Sequence, residues 1–103
     1  MKKIIFPFLF FVFISALSQE AEHEIRIKTK YLNIPVESSQ ERQKMTFTIM
    51  DNPVREFVIR LSNEDPDYWV FADVSDLIGE TLTIQYPKEV KGLKEIYQSD
   101  QII

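Results

Sequence analysis

Lys44-Met-Thr-Phe-Thr-Ile-Met-Asp-Asn-Pro-Val-Arg-Glu-Phe-Val-Ile-Arg-Leu61 decides the fold, because its apolar residues recur at every second position on both sides of a turn. Met45, Phe47 and Ile49 alternate with Thr46, Thr48 and Met50; Phe57, Ile59 and Leu61 alternate with Glu56, Val58 and Arg60. A period of two puts each set on one face of an extended chain, so the stretch reads as a β-hairpin turning at Asp51-Asn-Pro53.

Upstream, Ile25, Ile27 and Thr29 share a face against Arg26, Lys28 and Lys30, and Leu32, Ile34 and Val36 continue in the opposite phase. That change of phase predicts a bulge or kink near Lys30-Tyr31, and Pro35, which has no N–H, is expected to confine its strand to a sheet edge. Residues 37–43 are polar and read as a loop. Downstream, Ser62-Asn-Glu-Asp-Pro-Asp67 reads as an acidic turn, and residues 68–72 are apolar at both parities, which predicts a central strand covered on both faces. Asp73-Val-Ser-Asp76 reads as the cap of one helical turn ended by Gly79. Leu82, Ile84 and Tyr86 resume the alternation, Pro87 and Gly92 mark a loop, and residues 93–103 form a weak last segment. Its terminal Ile102-Ile103 is apolar where chain ends are usually polar, which predicts a natural continuation. The expected fold is all-β: a small antiparallel β-sandwich, jelly-roll-like, over residues 25–103.

Residues 1–18 read as an address. Lys2 and Lys3 precede an apolar run, residues 4–17, interrupted only by Pro7 and Ser15, and Ala16 and Ser18 are small residues placed for cleavage before Gln19. Fourteen helical residues would span only about 21 Å of a hydrocarbon core of about 30 Å, so a signal peptide is expected rather than a stable membrane anchor. Residues 19–24 are then an exposed leader holding the only histidine, His23. With no cysteine and no glycosylation acceptor, the composition fits a bacterial periplasmic or extracellular product and excludes both disulfides and a lipidated N-terminal cysteine.

Cleavage would leave 10 basic against 16 acidic residues. The basic residues are single and interleaved with acids, as in Lys88-Glu-Val-Lys91, which argues against nucleic acid as a partner. Nucleophile motifs, phosphate-cradling glycine loops and Cys/His metal spacings are missing. Asp65/Asp67 and Asp73/Asp76 are the close carboxylate pairs, and turn and cap chemistry accounts for both. A lone His23 has no convergent ligands and calcium would need six to eight oxygens, so no catalytic residue, metal or cofactor is expected. Tyr68, Trp69 and Phe71 admit two readings. Trp69 and Phe71 point into the core while Tyr68 and Val70 cover the other face, the reading that apolar residues at both parities favour; or Tyr68 and Trp69 form a surface platform for sugar rings.

Lys30-Tyr-Leu-Asn-Ile-Pro-Val36, Lys44-Met-Thr-Phe-Thr-Ile49, Val54-Arg-Glu-Phe57, Pro66-Asp-Tyr-Trp-Val-Phe71, Asp73-Val-Ser75 and Gly79 follow one another in an order that resembles the N-terminal β-sandwich module of bacterial glycoside hydrolase family 32 enzymes, the levanases, inulinases and invertases. The resemblance covers residues 30 to about 102. It implies a fructan-degrading parent in which a catalytic propeller follows the module and carries an aspartate nucleophile in a Trp-x-Asn-Asp-Pro-Asn-Gly-like motif. That motif is not in this sequence, so no catalytic residue carries over and these residues are expected not to hydrolyse glycans. The expected role is a non-catalytic accessory module that packs on the propeller and stabilises it. The alternatives are a fructan-binding module using Tyr68 and Trp69, and an extracellular adhesion or assembly domain.

Overall fold

A computed structural model describes residues 20–102. The expected signal peptide, residues 1–18, lies outside them. Seven strands form two antiparallel sheets: β1 (Ala21–Arg26), β2 (Tyr31–Val36), β3 (Gln43–Ile49), β4 (Asn52–Ile59), β5 (Tyr68–Asp73), β6 (Thr81–Tyr86) and β7 (Tyr97–Ser99). One sheet has the order β1-β6-β3-β4, the other β5-β2-β7. The pairs β1–β6, β2–β5 and β3–β4 nest about the β3–β4 turn, so the chain is a long ribbon folded over on itself, and β3 pairing with β6 joins the outermost pair to the innermost. This is the expected all-β sandwich, rolled in the jelly-roll manner.

The alternation fixes which side chains meet between the sheets. Met45, Phe47, Leu82, Ile84 and Tyr86 from the larger sheet face Leu32, Ile34 and Val36 from the smaller one, all buried. Tyr86 brings a hydroxyl into this layer, where it donates to Ile59 O at 3.3 Å and accepts from Leu61 N at 3.4 Å; burial pushes its ionisation above the usual tyrosine range.

Several local expectations change. The hairpin turns at Met50-Asp51, one residue earlier than expected: Ile49 pairs with Asn52, and both turn residues have positive φ, 51° and 67°, the form whose twist matches that of the flanking strands. Pro53 sits in an edge strand, next to a register shift between Phe47 and Thr48. The phase change near Lys30 is not a bulge within one strand. It is a crossover, residues 27–30, carrying the chain from β1 in one sheet to β2 in the other. Ala21 to Glu24, expected in an exposed leader, belong to β1 and pair with β6, with Ala21 buried.

The largest correction concerns which strand is central. β2, with Pro35 in it, lies between β5 and β7, and β5 is the edge. Pro35 is tolerated because its carbonyl accepts from Ser62 N at 3.1 Å, so the side on which its N–H would lie faces away from β5. On that side β7 pairs only as far as Asn33, so no ladder bond is lost there. Leu61-Ser62 carries on the row in place of β7, with Glu37 N donating to Arg60 O at 3.0 Å. Among the described residues no further layer covers the outer face of this sheet, so the outward aromatic side chains of residues 68–72 lie open.

Candidate functional site: an exposed aromatic face

The outer face of the three-stranded sheet gathers aromatic rings from all three strands. The odd-numbered residues of β2 and β5 point outward: Tyr31, Asn33 and Pro35 lie beside Asp73, Phe71 and Trp69, and Tyr97 of β7 pairs with Asn33 from the other side. Trp69 is 42% exposed, Phe71 49% and Tyr97 41%. The expectation that Trp69 and Phe71 fill the core is overturned. Apolar residues at both parities also arise when the outward rings of an edge strand cover a neighbour: here Pro35 and Asn33 on β2 are buried while the rings of β5 are half in water.

Trp69 and Tyr97 meet edge to face, centroids 5.4 Å apart and planes at 68°; Tyr31 and Phe71 do the same at 5.5 Å and 85°. Trp69, Phe71, Tyr97, Val70 and Asn33 enclose a recess of about 290 Å³. That is at the lower end of the range for small-molecule pockets, about 300–1,000 Å³, and suits one small ring better than a long planar chain. Asn33 fixes the third strand, donating from Nδ2 to Tyr97 O at 3.3 Å and to Ser99 Oγ at 2.9 Å. Gln98 holds β7 to the crossover: its Oε1 accepts from Lys28 N at 2.7 Å and its Nε2 donates to Arg26 O at 2.8 Å.

The two residues expected to act together as a platform are separated. Tyr68 and Trp69 are sequence neighbours in a strand and so point to opposite faces. Tyr68, 54% exposed, lines a cleft of about 430 Å³ between the sheets, with Ile34, Val36, Phe57 and Val70 as walls and Arg42 and Arg60 at its rim. Tyr97 takes the place expected of Tyr68. Its strand is three residues long, too short to show a period, and only pairing with Asn33 brings it beside Trp69.

Asp67, Asp73 and Asp76 are engaged in local structure. Asp73 Oδ1 accepts from Ser75 Oγ at 2.7 Å and Ser75 N at 3.0 Å, which holds its carboxyl below the usual range, with the positive charges of Arg55 and Lys30 adding to the effect. Arg55 donates to Asp73 O and, at 2.7 Å, to Asp76 Oδ1. The expected cap takes a different form: a short 3-10 turn, Ser75–Leu77, has Val74 at its N-cap with no side-chain cap bond, Asp73 instead closes a local turn onto Ser75, and Gly79 beyond it takes φ +97°. Asp67 Oδ2 accepts from Ser38 N at 2.7 Å. Glu37 Oε1 accepts from Glu64 N and Asn63 N at 3.0 and 2.9 Å, which lowers its ionisation. His23 lies on the inner side of β1, opposite Ile84. Among the described residues no group of three or more His, Cys, Asp or Glu is placed to hold a metal ion.

No protein-family model, curated protein or solved structure matches the chain.

Proposed function

We propose that the protein is a non-catalytic accessory module of an exported fructan-degrading glycoside hydrolase, and that it holds the polysaccharide on the aromatic face of its smaller sheet. One observation carries this reading: Trp69 stands at the surface beside a recess walled by Tyr97 and Phe71 rather than inside the core. The apolar faces of sugar rings stack on aromatic side chains, and Asn33, whose amide N–H groups are engaged with Tyr97 and Ser99, keeps those rings in place. The resemblance of residues 30–102 to the module preceding the propeller of family 32 enzymes supports fructan as the polymer and the propeller as the partner. Calorimetric titration with levan and inulin tests it. Heat of binding is expected from the intact protein and is expected to vanish in Trp69→Ala and Tyr97→Ala variants that keep their strand signal in circular dichroism. An intact protein that gives no heat with either polymer refutes the reading.

The ring geometry favours a second reading. Interplanar angles of 68° and 85° make a ridged surface rather than a flat platform, and exposed Trp and Tyr anchors are typical of protein contacts. On this reading the same face packs against the propeller. Association with a separately expressed propeller, weakened by Trp69→Ala, distinguishes it from sugar binding.

A further inference from the structure

The cleft on the other side of β5 shares Val70 and Phe71 with the aromatic recess and lies along the strand's unpaired edge. The larger sheet has four strands and the smaller three. Phe57 and Ile59 of β4 point inward, as do Val70 and Ala72 of β5, and between these edges the sandwich opens into the cleft of about 430 Å³. Phe57, Val70 and Ala72 pack against the core and remain only partly buried.

The edge of β5 is also unlike the other three. β1 carries Glu22, Glu24 and Arg26, β4 carries Pro53 and a register shift, and β7 is three residues long; each is a device that discourages a further strand from pairing. β5 reads Tyr-Trp-Val-Phe-Ala-Asp, six residues with no proline, no bulge and one charge, at its end. Successive residues of a strand direct their main-chain groups to opposite sides. Pro35 and Glu37 aim theirs at residues 60–62, so Ile34 and Val36 aim theirs at β5. Val70 and Tyr68 answer them, and Trp69 and Phe71 turn their N–H and C=O groups to the open edge.

The two ends of the cleft differ in charge. Beside Asp73, Arg55 is paired with Asp76. Beside Tyr68, Arg42 and Arg60 stand at the rim; Arg60 donates to Gln40 O at 2.9 Å, and neither is in an ion pair with a carboxylate among the described residues. An antiparallel addition to β5 would run from the Asp73 end to the Tyr68 end, delivering its carboxyl-terminal residues to the two arginines.

We propose that the cleft is a docking site for an extended segment of a partner polypeptide, which adds antiparallel to β5 as a fourth strand, buries alternate apolar side chains against Phe57 and Val70, and places an acidic carboxyl end between Arg42 and Arg60. Main-chain bonding to the edge provides affinity whatever the sequence, and the apolar pockets and the two arginines select it.

The probe is the heptapeptide Thr-Val-Thr-Val-Thr-Val-Asp with a free carboxylate and an amino-terminal fluorophore, titrated against the purified protein by anisotropy. Saturable binding is expected, with slowed amide exchange at Trp69 and Phe71. A peptide N-methylated at alternate residues is expected to bind at least about tenfold more weakly, and Arg42→Glu with Arg60→Glu to weaken the parent peptide about tenfold, less at high salt. Three results overturn the proposal. The peptide does not bind, or it binds without protecting those amides. N-methylation has no effect while dodecanoate displaces the peptide, which makes the cleft a pocket for an anionic amphiphile. Or the protein alone is a dimer with Trp69 and Phe71 amides already protected, which makes a second copy the occupant.

Discussion

Gly92→Ala is the substitution whose outcome the packing constrains most tightly. A Cβ at this position would lie 2.3 Å from the carbonyl oxygen of Ser62 and 3.3 Å from Cγ of Pro35. The oxygen is main chain and is held in place: Ser62 is buried, its N–H donates to Pro35 O at 3.1 Å, and its carbonyl accepts from Gly92 N at 2.8 Å. Relief therefore requires the 3-10 turn Lys91–Glu95 to move away by most of an ångström, which breaks the 92–62 bond. Overpacking of this kind costs about 1–3 kcal/mol and the lost bond about 0.5–1.5 kcal/mol, set against a gain of about 0.4–1 kcal/mol from a stiffer unfolded chain. The net expectation is a destabilisation of about 2–3 kcal/mol, or a fall in Tm of roughly 10–20 °C for a domain of this size. The same turn leads into β7, so Tyr97 is expected to shift against Trp69 and change the tryptophan emission of the folded protein. Thermal denaturation followed by circular dichroism, with Gly79→Ala as the comparison, reads the effect. Gly79 has no atom within 4 Å of a built Cβ but has φ +97°, so its cost comes only from backbone strain, about 1–2 kcal/mol. A Gly92→Ala protein melting within 2 °C of the parent would refute the close approach of residues 92 and 62.

Four other outcomes follow from the same structure. Trp69→Ala, which removes a ring little more than half buried, should cost about 1–2 kcal/mol, whereas Phe47→Ala, wholly inside, should cost about 3–5 kcal/mol; chemical denaturation giving equal losses would return Trp69 to the core. Replacing Met50-Asp51 by Asn-Gly, the pair that positive φ at both turn positions prefers, should stabilise by about 1 kcal/mol and raise Tm, and a lowered Tm would contradict the turn geometry. Tyr86→Phe leaves Leu61 N without its buried acceptor and should cost about 1–3 kcal/mol with no change in the denaturant slope. The carboxyl of Glu37 ionises below its ordinary value of 4.5 in the folded state, so the charged form stabilises at neutral pH and that contribution is lost as pH falls through the folded value. Glu37→Gln is accordingly expected to lower Tm at pH 7 and to converge with the parent as pH falls below the folded-state value; a gap that does not narrow in acid refutes the hydrogen-bonded carboxylate.

How far the sequence reaches is clearest in β3, β4 and β6. Apart from the register shift between Phe47 and Thr48, each alternates, and Met45, Phe47, Ile59, Leu82, Ile84 and Tyr86 all lie inside as their spacing requires. The turn that Asp73 makes onto Ser75 and the positive φ of Gly79 were equally legible, because both depend on atoms within a few residues. The aromatic site was legible only in part. Trp69 and Phe71 stand out in the sequence, but Tyr97 sits in a strand of three residues with no detectable period, and Tyr31 and Asn33 gain their meaning from the strands on either side of them.

Alternation by itself determined that this chain is built of strands, where most of them lie and which side chains share a face, since a period of two is a property of the extended backbone and needs no neighbour. It could not say whether β2 or β5 would stand at the centre of its sheet. That was decided by pairing between segments distant in sequence: β7, more than sixty residues further on, and the nearer Leu61-Ser62 segment settle on β2, on the side where Pro35 requires no bond, and leave the far side of β5 bare. Whether a tryptophan is core or surface depends on the face to which its strand's register assigns it and on whether another layer covers that face, and both arise only when distant parts of the chain close on one another.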